Sequence, residues 1–540
     1  MESTDATPGR MHRRIGLFGL TFAAIGAIIG SGWLFAPLYA AKVAGPAAII
    51  SWVIGALMVA ILAMPFAELG AALRVPGGCT RYAQVAFGGT TSFLTGWLCW
   101  LGYVAIPTVE TIAILEYLGD LAPWLVEVRD GDRSLSVGGS VVAAGVLLTM
   151  VIANLIGVQW LNRSNGAITI WKLFVPALTA VVLLIEGFNP ENFTSHGFAP
   201  EGVGGVLAAL GGGGVVFSLF GYRVVVDLAG EARRPQRDLP LAILGGLLAC
   251  ALLFVLLQLA FVGAVPPEQL EEGWSGVVAT GASGPLAAFA LTLGLGWLAS
   301  VLYVDATISP YGCGLIYTGA NARLLLAMGR NRNVPAVLGR IDRRGIPSVA
   351  ILVNFGFALV MLAPLPAWDE LTAMVAAAVT LTGGIGAVAF LRLRRTHPDL
   401  DRPFRVPVGN VTGALAFAIA SLITFWCGWS VLRDVLAGLA IGAVLLLITV
   451  PHHRRYGTPL DPRAAIWLVI WICGIAFIAW LGDHGGGLGT VPSPWADLAT
   501  VVLAFVVLPF ATRSGLRRED ADTVLAEIRA ESTSDEPPAH

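Results

Sequence analysis

The stretch VLAALGGGGVVFSLFGYRVVVDLAGE, residues 206–231, is apolar enough to cross a membrane, yet it holds four consecutive glycines, Gly211 to Gly214, and a fifth at Gly221. A helix that loses regularity inside lipid exposes backbone groups that only protein or a watery cavity can satisfy. A second interruption lies in IIGSGWLFAP, residues 28–37, where Gly30, Ser31 and Gly32 break the first apolar segment. Either cluster alone reads as well as close helix packing through small residues. Two breaks at matching positions of two five-span units point to a carrier built from inverted repeats, with a binding site between them at the bilayer midplane.

The rest of the chain agrees with a membrane setting. Of 540 residues, 56% are hydrophobic and 13% charged, against roughly 25% charged in soluble domains. Apolar segments of span length fall near residues 15–40, 46–70, 92–118, 138–160, 166–187, 204–231, 241–264, 286–322, 348–365, 369–391, 411–430, 434–450, 464–481 and 495–512. These fourteen segments predict an all-α polytopic membrane protein. Basicity rests on 31 arginines and 2 lysines. With the spans so placed, 27 of the 33 basic residues share one side and four the other, so the positive-inside rule puts both termini in the cytoplasm of a cell-membrane protein. No basic domain suits nucleic acid.

The expected division is a cytoplasmic tail over 1–14, a transport core over 15–391, four peripheral membrane helices over 411–512 and a cytoplasmic tail over 513–540. The repeats of the core would cover about 15–187 and 204–391. Both tails are polar and charged and read as flexible chain. The polar start runs into the first apolar segment without a small-residue cleavage site, so that segment is expected to stay in the mature protein.

Several motifs resemble the amino acid-polyamine-organocation superfamily of transporters. Gly30-Ser31-Gly32 with Trp33-Leu34-Phe35-Ala36-Pro37 is similar to its first-helix signature. Phe66-Ala67-Glu68-Leu69 with Pro76-Gly77-Gly78 and Tyr82 resembles the second loop signature. Phe217-Ser218-Leu219-Phe220-Gly221, Ala229-Gly230-Glu231 and Pro235-Gln236-Arg237-Asp238-Leu239-Pro240 resemble the sixth-helix signature. Ala322-Arg323 with Pro335, and Arg402 to Pro407, resemble later cytoplasmic loops. The likeness covers about residues 15–450 and implies a LeuT-like fold of two inverted five-helix repeats plus peripheral helices. The family mostly has twelve spans, so the pair at 464–481 and 495–512 is a departure.

The resemblance also implies a site for a zwitterion. Free amides at the start of a half-helix suit a carboxylate, and free carbonyls at the end of one suit an ammonium group. Amides around Gly30, Ser31 and Gly32 would then hold the α-carboxylate, and carbonyls near Ile28, Phe217 and Phe220 the α-amino group. Phe217 falls where relatives carry an aromatic lid, with Ser218 and Gly221 in the same motif.

Ionised side chains inside spans are candidates for function by default. Lys172, in ITIWKLFVPAL, stands where proton-coupled relatives carry a lysine in place of a sodium ion. Burial disfavours its charged form, which suits a group that gains and loses a proton during transport. A strut between helices is the competing reading. Arg223 follows the sixth-segment break directly, and its fork suits the side-chain carboxylate of aspartate or glutamate. Pairing with Asp227, four residues on, or with Asp305 is the structural alternative. Asp305 and Glu110 are weaker candidates for carrying a proton. Glu116 reads as solvated near the outer end of its span, and Glu68 as a residue that fixes a cytoplasmic loop.

The histidines and cysteines form no metal or catalytic set, and no cofactor is expected. An embedded enzyme or a channel is a remote alternative. The expected function is proton-coupled uptake of an acidic amino acid, with a neutral or broad-range carrier or an exchanger as the alternative. The expected partners are the amino acid, protons and the lipid bilayer.

Overall fold

A computed structural model describes residues 15–73, 77–129, 132–156, 159–277, 284–362, 368–456 and 460–534. The tail at 1–14 and the motif residue Pro76 lie outside the described residues. Each of the fourteen apolar segments carries helix. The first is split into α1 (Leu17–Ile28) and α2 (Gly32–Ala44). There follow α3 (Ala48–Leu73), a short amphipathic helix α4 (Gly78–Phe87), α5 (Gly89–Leu118), α6 (Val137–Ile156) and α7 (Gln159–Glu186). The sixth segment is divided into α8 (Gly202–Gly211), α9 (Val215–Leu219) and α10 (Arg223–Asp227). The chain continues through α11 (Pro235–Ala264), α12 (Pro285–Thr292), α13 (Gly296–Arg330), α14 (Ser348–Leu362) and α15 (Trp368–Thr396). Last come α16 (Gly409–Trp426), α17 (Trp429–Tyr456), α18 (Ile466–Leu481), α19 (Trp495–Arg513) and α20 (Arg518–Ser534).

Ten helical stretches among the described residues are long and apolar enough to cross a membrane, eleven if the bent pair Gly202–Gly211 and Val215–Asp227 counts as one span. The number is below fourteen for local reasons. α1 has 12 residues before its break and α14 has 15. α2 and α3 count as one stretch, and polar residues such as Asp305 and Ser309 lower the hydropathy of the continuous helix α13. The protein is a multi-pass, all-α membrane protein whose one sheet among the described residues is a hairpin. Its strands β1 (Val126–Arg129) and β2 (Asp132–Leu135) pair antiparallel with Val126 opposite Leu135. The hairpin packs over the end of α5, so Glu116, read as solvated, is buried.

Packing around the two broken segments fixes the centre. α5 and α13 pack along each other, and both meet α15 or α1. The start of α1 is tied to the end of the sixth segment: Ile15 N–H donates to Glu231 O at 3.1 Å, and Arg233 N–H to Ile15 O at 2.9 Å. Glu231 in turn pairs with Arg323 of α13 at 3.0 Å. Glu68, buried, accepts Arg394 Nε at 2.9 Å and Val406 N–H at 2.7 Å and lies 3.2 Å from Arg402 Nε. It fixes the loop after α15 rather than the loop beside it in sequence, because its partners Arg394, Arg402 and Val406 come from the end of α15 and beyond.

The end of the chain departs from the expected flexible tail. Residues 518–534 form α20, which packs on α4 and buries Ala521, Leu525 and Ile528. Arg392 of α15 anchors the approach to it. Its guanidinium donates to Ala86 O at 3.0 Å, to Thr512 O at 2.8 Å and to Leu516 O, while Leu516 N–H donates to Ala86 O at 3.0 Å.

Candidate functional site

Two glycines let the broken segments meet. Gly214, at φ +76°, takes a left-handed conformation that turns the chain from α8 into α9, and this is unfavourable for residues with a Cβ. Gly221 lies in a tight turn over Phe220–Tyr222, where a Cβ would fall 2.3 Å from Ile28 N and 2.4 Å from Ala27 C. The backbone of the sixth segment therefore rests directly on the end of α1. Between them is a small cavity, bounded by Ala27, Ile28, Gly32, Phe217, Ser218 and Phe220 on the broken segments. Its other wall comes from unbroken helices: Tyr103, Ile106 and Glu110 on α5, Cys313 and Tyr317 on α13, Val375 and Val379 on α15.

Five of the nine expected substrate residues line this space: Ile28, Gly32, Phe217, Ser218 and Phe220. Gly30, Ser31, Gly221 and Arg223 do not line it. Ser31 N–H points at Glu110, whose Oε2 accepts it at 2.7 Å, and Gly30 faces the same carboxyl group, where a Cβ would fall 2.4 Å from Oε1. The carboxyl of Glu110 thus occupies the open amide at the first break.

Lys172, 1% exposed, reaches the same break from α7. Its Nζ donates to Gly26 O and Ile29 O, both at 2.8 Å, so it satisfies carbonyls that the end of α1 leaves open. Asp305, fully buried on α13, accepts Ser309 Oγ at 2.8 Å and does not line the cavity.

Arg223 lies one layer below the cavity wall and is 2% exposed. Its Nη1 donates to Val379 O at 3.0 Å and Thr382 Oγ1 at 2.7 Å, and its Cζ lies 4.7 Å from the Phe66 ring centroid. Asp227 accepts Tyr103 Oη at 2.9 Å instead. Among the described residues neither Asp227 nor Asp305 forms an ion pair with Arg223, so the two structural pairings considered from sequence are not made. Tyr103, Tyr317 and the valines of α15 had no local signal in the sequence, because they sit on uninterrupted apolar helices.

Two interrupted helices meeting at a cavity lined by buried residues, with buried Lys172 and Glu110 at one break, define a multi-pass carrier of small molecules. The chain belongs to the amino acid permease family, whose profile matches residues 15–450. It is 34% identical to the glutamate/serine transporter AimA of Bacillus subtilis over 94% of this chain and 95% of that one. It is 29% identical to an aspartate-proton symporter of the same organism over 95% and 99%, and 27% identical to its branched-chain amino acid permease BcaP over 83% and 96%. The first two alignments cover too much of the chain to stop at residue 450, so part of the C-terminal extension is shared with those relatives.

Proposed function

We propose that the protein carries an acidic amino acid, aspartate or glutamate, into the cell with protons by alternating access. The observation that carries this reading is Arg223, a buried cation beside the cavity wall that forms no ion pair among the described residues and holds a carbonyl, a hydroxyl and a ring face. A buried charge without a counter-ion is costly, and a substrate carboxylate replacing Val379 O and Thr382 Oγ1 supplies one. The α-carboxylate and α-amino group meet the two breaks, at Gly30 to Gly32 and at Ile28, Phe217 and Phe220. Lys172 and Glu110 meet at the first break and are the groups that exchange protons with each cycle, with Asp305 as a further carrier. Coupling to protons offsets the membrane potential, which opposes anion entry by about 2.3 kcal/mol per charge per 100 mV. The names of two relatives, a glutamate/serine transporter and an aspartate-proton symporter, support the same substrate class.

A neutral or broad-range carrier, or an exchanger, is the second reading. It is favoured by the lining, in which Ile28, Ile106, Phe217, Phe220, Val375 and Val379 are apolar and Arg223 stands behind the wall. Uptake of labelled aspartate into proteoliposomes, with and without an inward proton gradient and with leucine as competitor, separates them. Gradient-driven aspartate uptake that Arg223→Ala removes, while leucine still binds, is the expected result. Strong leucine binding without aspartate uptake, or uptake that needs internal amino acid and ignores the gradient, supports the second.

A further inference from the structure

Trp368 opens α15 at the end opposite Arg392, Arg394 and Arg395, and is fully buried at 0% exposure. Its indole N–H donates to Ser31 Oγ at 2.8 Å. Its ring stacks on Phe35 and Tyr39 of α2, with centroids 5.3 and 5.4 Å apart, and meets Phe217 edge-on at 5.9 Å. Gly214 closes over the same ring, where a Cβ would fall 3.1 Å from it. A single side chain, belonging to neither broken segment, therefore touches Ser31 at the first break and Gly214 and Phe217 at the second. Phe217 lines the cavity and Trp368 backs it from the side away from the arginine-rich end of α15.

Stacked and edge-on aromatic pairs stabilise beyond the area they bury, and a buried indole N–H needs its acceptor. Moving the start of α15 away from α2 and α9 breaks the Ser31 hydrogen bond, the Phe35 stack and the Phe217 contact together. We infer that Trp368 is the positioning residue that shuts the cavity towards the outside, joining α15 to both helix breaks so that the outer face opens only when these contacts part as a unit. The inference rests on the alternating-access reading and on the orientation that the arginine distribution implies.

Cys313, which lines the cavity and is 2% exposed, is a native reporter. Wild type, Trp368→Phe and Trp368→Ala are reconstituted without substrate or gradient and treated from the outer face with a membrane-impermeant charged thiol reagent. Modification of the Cys313 peptide is followed by mass spectrometry, with Cys313→Ser as the blank. Trp368→Ala is expected to raise the Cys313 rate roughly tenfold, from loss of the stack and the hydrogen bond. Trp368→Phe keeps a ring and loses the donor, and is expected to raise it a few-fold; it carries the test if the alanine variant does not fold. Wild-type rates in the folded variants overturn the inference. So does equal acceleration at buried Cys79, Cys99 and Cys427, which marks general loosening, or acceleration only from the inner face. Failure of the aspartate reading leaves these rates unchanged, because no substrate is present.

Discussion

Glu110 accepts the backbone N–H of Ser31 at 2.7 Å, so a carboxyl group of the protein sits on the amide that a substrate carboxylate is proposed to use. Two carboxylates at one helix break repel, and loading requires Glu110 either to take a proton or to withdraw. Glu110→Gln keeps an oxygen acceptor and removes the charge. It is expected to tighten substrate binding and to cut the stimulation of uptake by an inward proton gradient severalfold. Parallel measurements of KM and of gradient stimulation check this, and unchanged stimulation would remove Glu110 from the coupling.

Lys172 holds two carbonyls of the first break. Lys172→Met leaves Gly26 O and Ile29 O without their donor, each at about 1–3 kcal/mol, so the melting temperature is expected to fall and gradient-driven uptake to drop at least about tenfold. Lys172→Arg keeps a cation and serves as the control. Recovery of stability by arginine without recovery of the gradient response assigns Lys172 to proton exchange, whereas recovery of both makes it a strut.

Gly221 allows backbone contact between the sixth segment and α1. Gly221→Ala places a methyl group 2.3 Å from Ile28 N, a clash with backbone that no side-chain rotation relieves. Overpacking of this kind costs about 1–3 kcal/mol. A lower melting temperature in detergent, together with loss of binding for acidic and neutral amino acids alike, is the expected outcome.

Arg392 anchors the approach to α20 through three carbonyls. Removing it by Arg392→Ala leaves Ala86 O with its bond from Leu516 and takes the side-chain donor from Thr512 O and Leu516 O. Residues 514–528 are then expected to exchange amide hydrogens at least about tenfold faster than in wild type, the factor that 1.4 kcal/mol represents. Exchange at wild-type rates would mean that the apolar face of α20 suffices to dock it.

What could be read from sequence follows from where the irregularities lie. Glycines at 30, 32, 211–214 and 221 mark both breaks, since regular helix needs none of them, and the isolated charge of Lys172 stands out among apolar neighbours. The opposite wall was hidden. Tyr103, Tyr317, Val375 and Val379 belong to continuous apolar helices, where a residue facing a cavity looks the same as one facing a neighbour. Trp368 begins WDELTAMV, an ordinary helix start. Arg223 was visible as a buried cation, but its carbonyl and hydroxyl partners come from α15, more than 150 residues away. α20 carried a signal that its acidic composition masked: Ala521, Leu525 and Ile528 at spacings of four and three form one helical face.

The docking of α20 on α4 also sets an order of events during synthesis. Ala86 leaves the ribosome early, while its partners Arg392 and Leu516 follow by about 300 to 430 residues. Through most of translation α4 has its neighbours from α5 but not the strand of chain that finally crosses it. The side of the molecule that α4 occupies is thus completed late, by residues 512–528, and a chain stopped short of residue 516 keeps the cavity and both helix breaks while leaving the face of α4 that meets α20 uncovered.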